Sequence, residues 1–140
     1  MNIYTDGACK GNGKLINIGG NGFIIEETNY SFVEINHNTT NNKEEMKAIL
    51  NSLVYLKENN ITEDVNIYSD SVICINGMLC KKNNLSKGRF LKRFKKNLEL
   101  WEQLHFLHTN NINYIWIKGH NGNKYNEIID DLINKAIELH

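Results

Sequence analysis

The chain has 140 residues, of which 41% are hydrophobic and 23% are charged, and its formal net charge at pH 7 is zero. This composition is typical of a folded globular protein and argues against extended disorder. No apolar run is long enough to cross a membrane and no leader-like segment follows Met1, so we expect a cytoplasmic protein. The length predicts a single domain covering residues 1–140. The cysteines Cys9, Cys74 and Cys80 have neither metal-site spacing nor the count of a disulfide framework, and we interpret them as reduced.

The first 60 residues predict three strands followed by a helix. Short runs of β-branched and aromatic residues predict strands at 2–5, 22–26 and 30–36. The glycine-rich stretch 11–22 is interpreted as a loop. Apolar residues at helical spacing then predict a helix over 43–59.

The rest of the chain alternates between strands and helices. A strand at 65–69 precedes a short helix at 72–79, and apolar residues between 91 and 107 predict one further helix. A strand at 112–117 and a helix at 126–139 complete the pattern. This order predicts an α/β fold in which a five-stranded mixed sheet is flanked by helices.

A basic segment, residues 81–96, stands out from this pattern. It contains eight of the sixteen Lys and Arg residues and no acidic residue, which leaves eight basic and sixteen acidic residues elsewhere. A basic segment on an otherwise acidic chain predicts binding to a polyanion. The alternative is an amphipathic helix with a solvated basic face, because Phe90, Leu91 and Phe94 lie among the cations.

Four acidic residues lie where a strand ends or where a helix borders its apolar face. Asp6 and Asp70 each follow a predicted strand, and Glu45 and Asp130 lie on predicted helices. Four carboxylates that converge in one cleft would form a site for hard divalent cations. Taken alone, each acid also has a structural interpretation, such as a turn residue for Asp6 before Gly7.

Helical geometry selects one acid from each of two adjacent pairs. At 100° per residue, Glu45 lies beside the apolar stripe of its helix, whereas Glu44 is predicted to face solvent. Asp130 lies at the border of the last helix's apolar face, and Asp131 lies on the far side. The structural alternatives are a capping box between Asn42 and Glu45 and a favourable helix-dipole interaction for Asp130.

Five segments carry these acids and one histidine in a specific order: residues 4–9 (YTDGAC), 39–42 (TTNN) followed by Glu45, 68–71 (YSDS), 118–122 (KGHNG) and 126–130 (NEIID). Over nearly the whole chain, in order and in spacing, they resemble type 1 ribonuclease H. The resemblance implies the ribonuclease H-like fold with a basic protruding arm at about residues 81–96. It also implies an endonuclease that cuts the RNA strand of an RNA/DNA hybrid and leaves 5′-phosphate and 3′-hydroxyl ends.

The resemblance further implies the catalytic residues. Asp6, Glu45, Asp70 and Asp130 match the family's metal-binding acids, which would hold two Mg²⁺ ions roughly 4 Å apart, and Mn²⁺ could substitute. Anionic ligands are needed to hold two cations where a phosphodiester gains negative charge. Without metal, the carboxylates should repel one another and raise some of their pKa values. His120, in a glycine-flanked loop, matches a flexible histidine that assists proton transfer or product release.

A second set of residues would bind the hybrid by the same resemblance. These are Cys9, Gly11, Asn12, Thr40, Asn41, Asn42, Ser71, Lys81, Lys82, Lys87 and Arg89. The backbone near Cys9 and Gly11, together with Asn12 and Asn41, would contact the RNA strand. Asn42 and Thr40 would lie near the DNA strand, with Thr40 as part of a phosphate pocket. Asn and Thr supply the donors and acceptors that sensing of 2′-hydroxyls requires. Helix capping and turn formation remain the structural alternative for each residue.

Three departures from the family pattern alter these expectations. The loop after Asp6, residues 11–20, is longer than usual and lacks the customary proline, so its contacts should be shifted. Val72 stands where a glutamine that touches RNA is common. Leu85 and Phe90 stand where tryptophans often occur, which puts the aromatic contacts of the arm in doubt.

Three alternatives stay open. A hybrid-binding module without cleavage could share the fold, although it would gain nothing from four clustered acids. A different nuclease on the same fold, such as an exonuclease or a transposase-like domain, fits the basic segment and His120 less well. A ribonuclease H domain of a reverse transcriptase is the third, although Met1 directly before the first strand favours a free-standing protein. We expect a monomer whose partner is the RNA/DNA hybrid, with no obligate protein partner.

Overall fold

The computed structural model describes residues 1–119 and 121–140, so the predicted site residue His120 lies outside the described residues. The predicted fold class is confirmed, because a five-stranded mixed sheet is flanked by helices. The strands are β1 (Asn2–Lys10), β2 (Ile18–Ile25), β3 (Ser31–His37), β4 (Val65–Ser69) and β5 (Ile112–Trp116). The helices are α1 (Asn41–Glu58), α2 (Val72–Lys82), α3 (Lys87–Arg93), α4 (Leu98–Leu107) and α5 (Lys124–Glu138).

The strand order across the sheet is β3-β2-β1-β4-β5. The first three strands form an antiparallel meander, and β4 pairs in parallel with both β1 and β5. Parallel strands end at the same edge of a sheet, and α2 and α5 start at that edge because each follows one of them. Sites in α/β proteins commonly form at this carboxyl edge.

Two apolar cores hold the helices against the sheet. On one face, Ile49 and Leu53 of α1 and Leu104 of α4 belong to the larger core. On the other face, Ile129 and Ile133 of α5 pack against the strands. None of the described helices combines the length and the hydropathy that a membrane span requires.

The first two strands are longer than predicted, and the loop between them covers only residues 11–17. The glycine content suggested a loop up to Gly22, but these glycines serve close packing instead. A Cβ at Gly19 would lie 2.6 Å from Thr39 Cγ2, and a Cβ at Gly22 would lie 3.0 Å from Ile129 Cδ1. The sheet therefore uses small residues where α5 and the residues before α1 approach it.

The single helix predicted over residues 91–107 is wrong, because the structure has two helices there, α3 and α4. The break ends at Asn97, which adopts a left-handed conformation with φ 58°. Phe94 leaves the helix and packs its ring 4.6 Å from that of Phe90 and 5.2 Å from that of Trp101. The aromatic residues on both sides of the break pack together, and their spacing in the sequence is that of a continuous helix. This spacing led to the prediction of one helix.

Candidate active site

Two nearly identical segments carry the first and third predicted acids. Residues 2–6 read NIYTD and residues 66–70 read NIYSD, and β1 and β4 pair in parallel so that Tyr4 lies beside Tyr68. Side chains at equal positions point to the same face of the sheet, because side-chain direction alternates in step along both strands. The aspartates that end the two segments are thereby brought together. This match is visible in the sequence but was not used in the prediction of the site.

A stack of tyrosines lies next to these aspartates. The ring of Tyr4 stacks on that of Tyr68, with centroids 4.6 Å apart and planes inclined by 9°. It also stacks on Tyr125, at 5.5 Å and 24°. Each such pair contributes roughly 0.5–1.5 kcal/mol beyond its buried area. The stack joins β1, β4 and α5, the three elements that lead to or carry Asp6, Asp70 and Asp130.

An asparagine ladder holds the register at the opposite end of the same strands. Asn66 Nδ2 donates to Asn2 Oδ1 at 3.0 Å, and Asn113 Nδ2 donates to Asn66 Oδ1 at 3.2 Å. Asn2 Nδ2 donates in turn to Glu26 Oε2 at 3.1 Å. A one-residue slip of β1 against β4 would break this chain of hydrogen bonds and separate the paired aspartates.

Glu45 enters the site from the start of α1. Thr40 caps this helix, with its Oγ1 accepting a hydrogen bond from the Lys43 backbone N–H at 3.1 Å. Gly7 lets the helix approach β1 closely, because a Cβ there would overlap the backbone of Glu44 and Glu45. The glycine next to Asp6 is therefore required for Glu45 to reach the same cleft.

Three of the four predicted acids converge. One carboxylate oxygen from each of Asp6, Glu45 and Asp70 lies within 4.8 Å of the others, and Asp130 borders the same cleft. Gly119 also packs against this group, because a Cβ there would lie 2.6 Å from Asp70 Oδ2. No role was predicted for Gly119, although it lies in the KGHNG motif.

The acids line an open cleft of about 500 Å³, which we call the acidic cleft. Its lining comprises Asp6, Gly7, Ala8, Cys9, Lys10, Asn41, Asn42, Glu45, Asp70, Ser71 and Asp130. Four predicted substrate-binding residues, Cys9, Asn41, Asn42 and Ser71, thus lie beside the acids. Ser71 also has a structural role, because its Oγ accepts a hydrogen bond from the Cys74 N–H at 3.2 Å and caps α2.

The acidic cleft is unfavourable for charged carboxylates. Burial, reinforced by the charges of Asp70 and Asp130, raises the pKa of Asp6 to about 7, although Gly7 N–H donates to its Oδ1 at 2.9 Å. Burial and then the charges of Asp6 and Asp70 hold the pKa of Glu45 well above its ordinary range. The predicted rise in pKa is confirmed, with burial as a larger cause than repulsion.

The donor set fits a divalent cation. Glu45 Oε1 is buried and has no hydrogen-bond partner among the described residues. An unpaired buried carboxylate oxygen costs free energy that a bound cation would recover. Asp6 and Asp70 place further oxygens close by, and oxygen ligands are those that Mg²⁺, Mn²⁺ and Ca²⁺ prefer.

Glu44 contradicts the prediction that it faces solvent, because its side chain is fully buried at 0% exposure. Glu44 Oε1 accepts hydrogen bonds from Asn21 Nδ2 at 3.2 Å and Asn36 Nδ2 at 2.9 Å, and Oε2 accepts one from Thr39 Oγ1 at 2.8 Å. The donors belong to β2, β3 and the connection before α1. The apolar stripe of a helix gives no information about a second, polar contact face on the same helix.

Of the other two predictions made from helical geometry, one is wrong and one is confirmed. The capping-box interpretation of Glu45 is wrong, because the N-cap residue of α1 is Thr40 rather than Asn42. Asp131 is exposed as predicted, and its Oδ2 lies 2.9 Å from Lys135 Nζ. The apolar stripe therefore predicted the placement of both acids on α5, which rests on the sheet with one face. On α1 it predicted the placement of Glu45 but not that of Glu44.

A second cavity of about 430 Å³ adjoins the acidic cleft at the start of α1. It is lined by Asn12, Gly13, Thr40, Asn41, Asn42, Lys96 and Asn97. Asn12 Oδ1 accepts a hydrogen bond from the Asn41 N–H at 3.1 Å. Lys96 was not singled out from the sequence, yet the turn at Asn97 brings it to the predicted phosphate pocket. The signal available in the sequence was the asparagine directly after the basic segment, because asparagine adopts a left-handed conformation more readily than most residues.

The four predicted arm contacts lie at the far end of α2 and on α3. Lys81, Lys87 and Arg89 are exposed. Lys82 is used differently, because its Nζ donates to the carbonyl oxygen of Ile112 at 2.6 Å. The ammonium of Lys82 therefore holds the start of β5, at the sheet edge opposite the acids.

The RNase H family model matches residues 1–138. The chain belongs to the RNase H family. It is 37% identical over 143 residues to a ribonuclease H of Clostridium botulinum, with 97% of this chain and 94% of the relative covered. It is 38% identical to a ribonuclease H of Wolbachia pipientis, covering 96% and 93%, and 39% identical to one of Francisella philomiragia, covering 96% and 88%.

The chain also shares its fold with a solved structure. The crystal structure of LC9-RNase H1, described as a type 1 RNase H with the type 2 active-site motif, superposes with a TM-score of 0.77 at 23% identity. The match covers 98% of this chain and 71% of that chain. Family membership makes the protein a metal-dependent endoribonuclease, and the acidic cleft supplies a site where a metal could bind.

Proposed function

We propose that this RNase H hydrolyses the RNA strand of RNA/DNA hybrids by two-metal-ion catalysis and leaves 5′-phosphate and 3′-hydroxyl ends. The observation that carries the proposal is the convergence of Asp6, Glu45 and Asp70 within 4.8 Å, with Asp130 on the border of the same cleft. A module that only bound hybrids would gain nothing from carboxylates whose burial and proximity raise their pKa values.

The four acids are proposed to hold Mg²⁺, for which Mn²⁺ could substitute. When bound, the ions would supply an activated water and neutralise charge that develops on the phosphate. Asp6 and Glu45 would release protons on becoming ligands, because burial raises their pKa values, so metal binding would be coupled to proton release. Asp70 lies beside them at the end of β4, and Asp130 offers its carboxylate from α5.

Residues along the cleft are proposed to recognise the RNA strand. The backbone near Cys9 and Gly11 and the side chains of Asn12 and Asn41 would meet 2′-hydroxyls in the wide minor groove of the hybrid. The hydrogen bond between Asn12 and the Asn41 N–H supports this assignment, because it places both asparagines on one surface.

The DNA strand is proposed to contact the second cavity and the basic segment. Thr40, Asn42 and Lys96 line this cavity, and together they would offer a phosphate one cation and two polar groups. The exposed Lys81, Lys87 and Arg89 extend this contact. The motif around His120 is the basis for proposing that this residue assists proton transfer or product release.

The proposed function is tested with end-labelled RNA in an RNA/DNA hybrid and Mg²⁺, beside single-stranded RNA, RNA duplex and DNA duplex. Internal cuts confined to the RNA strand of the hybrid, lost in Asp6→Asn, are expected. The new RNA ends should accept 3′-end ligation without prior phosphatase treatment. Binding without cleavage in both Mg²⁺ and Mn²⁺ would refute catalysis. We further propose that residues 1–140 act as one catalytic domain and as a monomer, which sedimentation of the active protein would check.

A further inference from the structure

The loop between β1 and β2 is tied to the chain just before α1 by one asparagine. Asn17 Nδ2 donates to the Thr39 carbonyl oxygen at 3.0 Å, and the Thr39 N–H donates back to Asn17 Oδ1 at 2.8 Å. Asn17 Nδ2 also donates to the Lys14 carbonyl oxygen at 3.2 Å, within the loop. The side-chain amide of Asn17 thus pairs with both backbone groups of Thr39, as a neighbouring strand would.

Thr39 is itself fixed from the interior. Its Oγ1 donates to Glu44 Oε2 at 2.8 Å, and the Glu44 side chain is fully buried. A Cβ at Gly19 would lie 2.6 Å from Thr39 Cγ2, so β2 packs directly on this side chain. A buried carboxylate that accepts several hydrogen bonds provides a rigid anchor, because breaking any one of them leaves a polar group unsatisfied. Asn17 is therefore attached to a fixed point.

The loop that Asn17 restrains has few other hydrogen bonds. Within it, the Lys14 N–H donates to the Gly11 carbonyl oxygen at 2.9 Å, and at its end the Asn38 N–H donates to the backbone carbonyl oxygen of Asn17 at 3.1 Å. Gly11 and Gly13 both have positive φ, at 76° and 84°, and glycines in this region add backbone freedom. Leu15 and Ile16 at the tip are 93% and 83% exposed, so the core does not hold the loop. The same loop carries Asn12, whose Oδ1 meets the Asn41 N–H at the entrance to the second cavity.

We propose that Asn17 is a positioning residue for hybrid binding, which fixes the β1–β2 loop to Thr39 so that Asn12 and the start of α1 present one preorganised surface. This inference rests on the proposed function. A surface that is ordered before binding avoids the entropy cost of ordering it on binding. Loss of the restraint should therefore weaken substrate binding and leave the chemical step unchanged.

The test compares Asn17→Ala with Asn76→Ala, which removes an exposed asparagine on α2, away from the loop. Hybrid affinity is measured by fluorescence anisotropy, with both substitutions placed in an Asp6→Asn background so that the hybrid stays intact. Kinetics are measured with Asp6 restored. We expect Asn17→Ala to raise Kd and KM roughly 5- to 20-fold, since two or more hydrogen bonds are lost, and to keep kcat within about twofold. Asn76→Ala should leave all three values unchanged.

A second variant tests the connection to Glu44. Thr39→Val keeps the shape of the side chain and removes the hydroxyl that bonds Glu44, and thermal unfolding shows whether it is folded. In a double-mutant cycle for hybrid affinity, Asn17→Ala and Thr39→Val should be strongly non-additive. Additive effects, an unchanged Kd in Asn17→Ala, or a fall in kcat alone would overturn the inference. A parent protein that binds the hybrid without cutting it would instead refute the proposed function.

Discussion

The acidic cleft and the basic segment are built in opposite ways. The carboxylates of the cleft are largely buried and are placed by paired strands, a tyrosine stack and close glycine contacts. The cations of residues 81–96 are mostly exposed, at the end of α2, on the seven-residue α3 and in the connection after it. Metal ligation needs oxygens at fixed short distances, whereas attraction to phosphates acts over several ångströms. Changes in the cleft should therefore affect chemistry, and changes in the segment should affect binding.

The largest effect should come from removing one charge of the cleft. Asp70→Asn should lower kcat by roughly 1,000-fold or more while hybrid binding stays within a few-fold, because a proposed metal ligand is lost and the proposed substrate contacts are kept. Asp131→Asn, which changes the exposed acid on α5, is the matched control and should stay within about twofold. Steady-state kinetics with a defined hybrid measures both. Retention of a tenth of the activity by Asp70→Asn would contradict the assignment.

The burial of the carboxylates predicts an unusual dependence of stability on pH. The pKa of Asp6 rises from its ordinary value of 3.8 to about 7 in the folded protein. The folded state thus keeps a proton that the unfolded state releases, so this contribution is complete below pH 4 and is lost as pH rises through 7. The raised pKa of Glu45 acts in the same direction.

Urea unfolding in EDTA measures this effect. We compare the free energy of unfolding of Asp6→Asn with that of the parent protein. The difference should shift in favour of Asp6→Asn by about 2–4 kcal/mol as pH rises from 4 to 7.5, since asparagine carries no charge to bury. Saturating Mg²⁺ should reduce the difference at the upper pH, because the cation is proposed to bind the deprotonated acids of the parent protein. A difference that is constant with pH would show that Asp6 titrates normally.

The tyrosine stack should affect chemistry as well as stability. Tyr68→Leu removes stacking beside the acids, and we expect kcat to fall roughly 10-fold because small displacements of catalytic groups slow reactions strongly. Tyr30→Leu is the matched control, because Tyr30 and Tyr55 stack at 5.1 Å on the other side of the molecule. Both variants should lose a similar free energy of unfolding, about 1 kcal/mol. Equal kinetic effects would show that the stack near the acids has no special role.

The smallest effects should come from the basic segment. Lys87→Ala with Arg89→Ala should raise KM about threefold and lower the slope of log KM against log salt by roughly one to two units, as expected for lost phosphate contacts. Lys82→Ala should instead lower the melting temperature, because its Nζ bonds the Ile112 carbonyl oxygen. An unchanged salt dependence in the double variant would assign Lys87 and Arg89 to a solvated helix face.

The sequence predicted the site better than its surroundings. Asp6 and Asp70 could be placed because strand ends are marked by local composition, and Asp130 because α5 packs on the sheet with one face. Glu44 was placed wrongly because its partners, Asn21 and Asn36, lie on strands far away in sequence. The pattern of hydrophobic residues predicts contacts with apolar neighbours but gives no information about buried polar networks.

The remaining errors also come from tertiary contacts. The glycines at the start of β2 were interpreted as a loop. In the structure, Gly19 and Gly22 are needed where other parts of the chain pack closely against the strand, and those parts are distant in sequence. The break before α4 was missed because Phe94 and Trp101 keep helical spacing while packing across a turn. The sequence does not distinguish Lys82 from Lys96 within the basic segment. The fold places Lys82 against β5 and Lys96 at the second cavity.

The most direct test of the metal site is the anomalous diffraction of Mn²⁺ in crystals of Asp130→Asn bound to an RNA/DNA hybrid. This variant keeps the three converging acids. We expect anomalous peaks among Asp6, Glu45 and Asp70, next to a phosphate of the RNA strand. A hybrid seated elsewhere on the protein, or Mn²⁺ bound only outside the acidic cleft, would contradict the account.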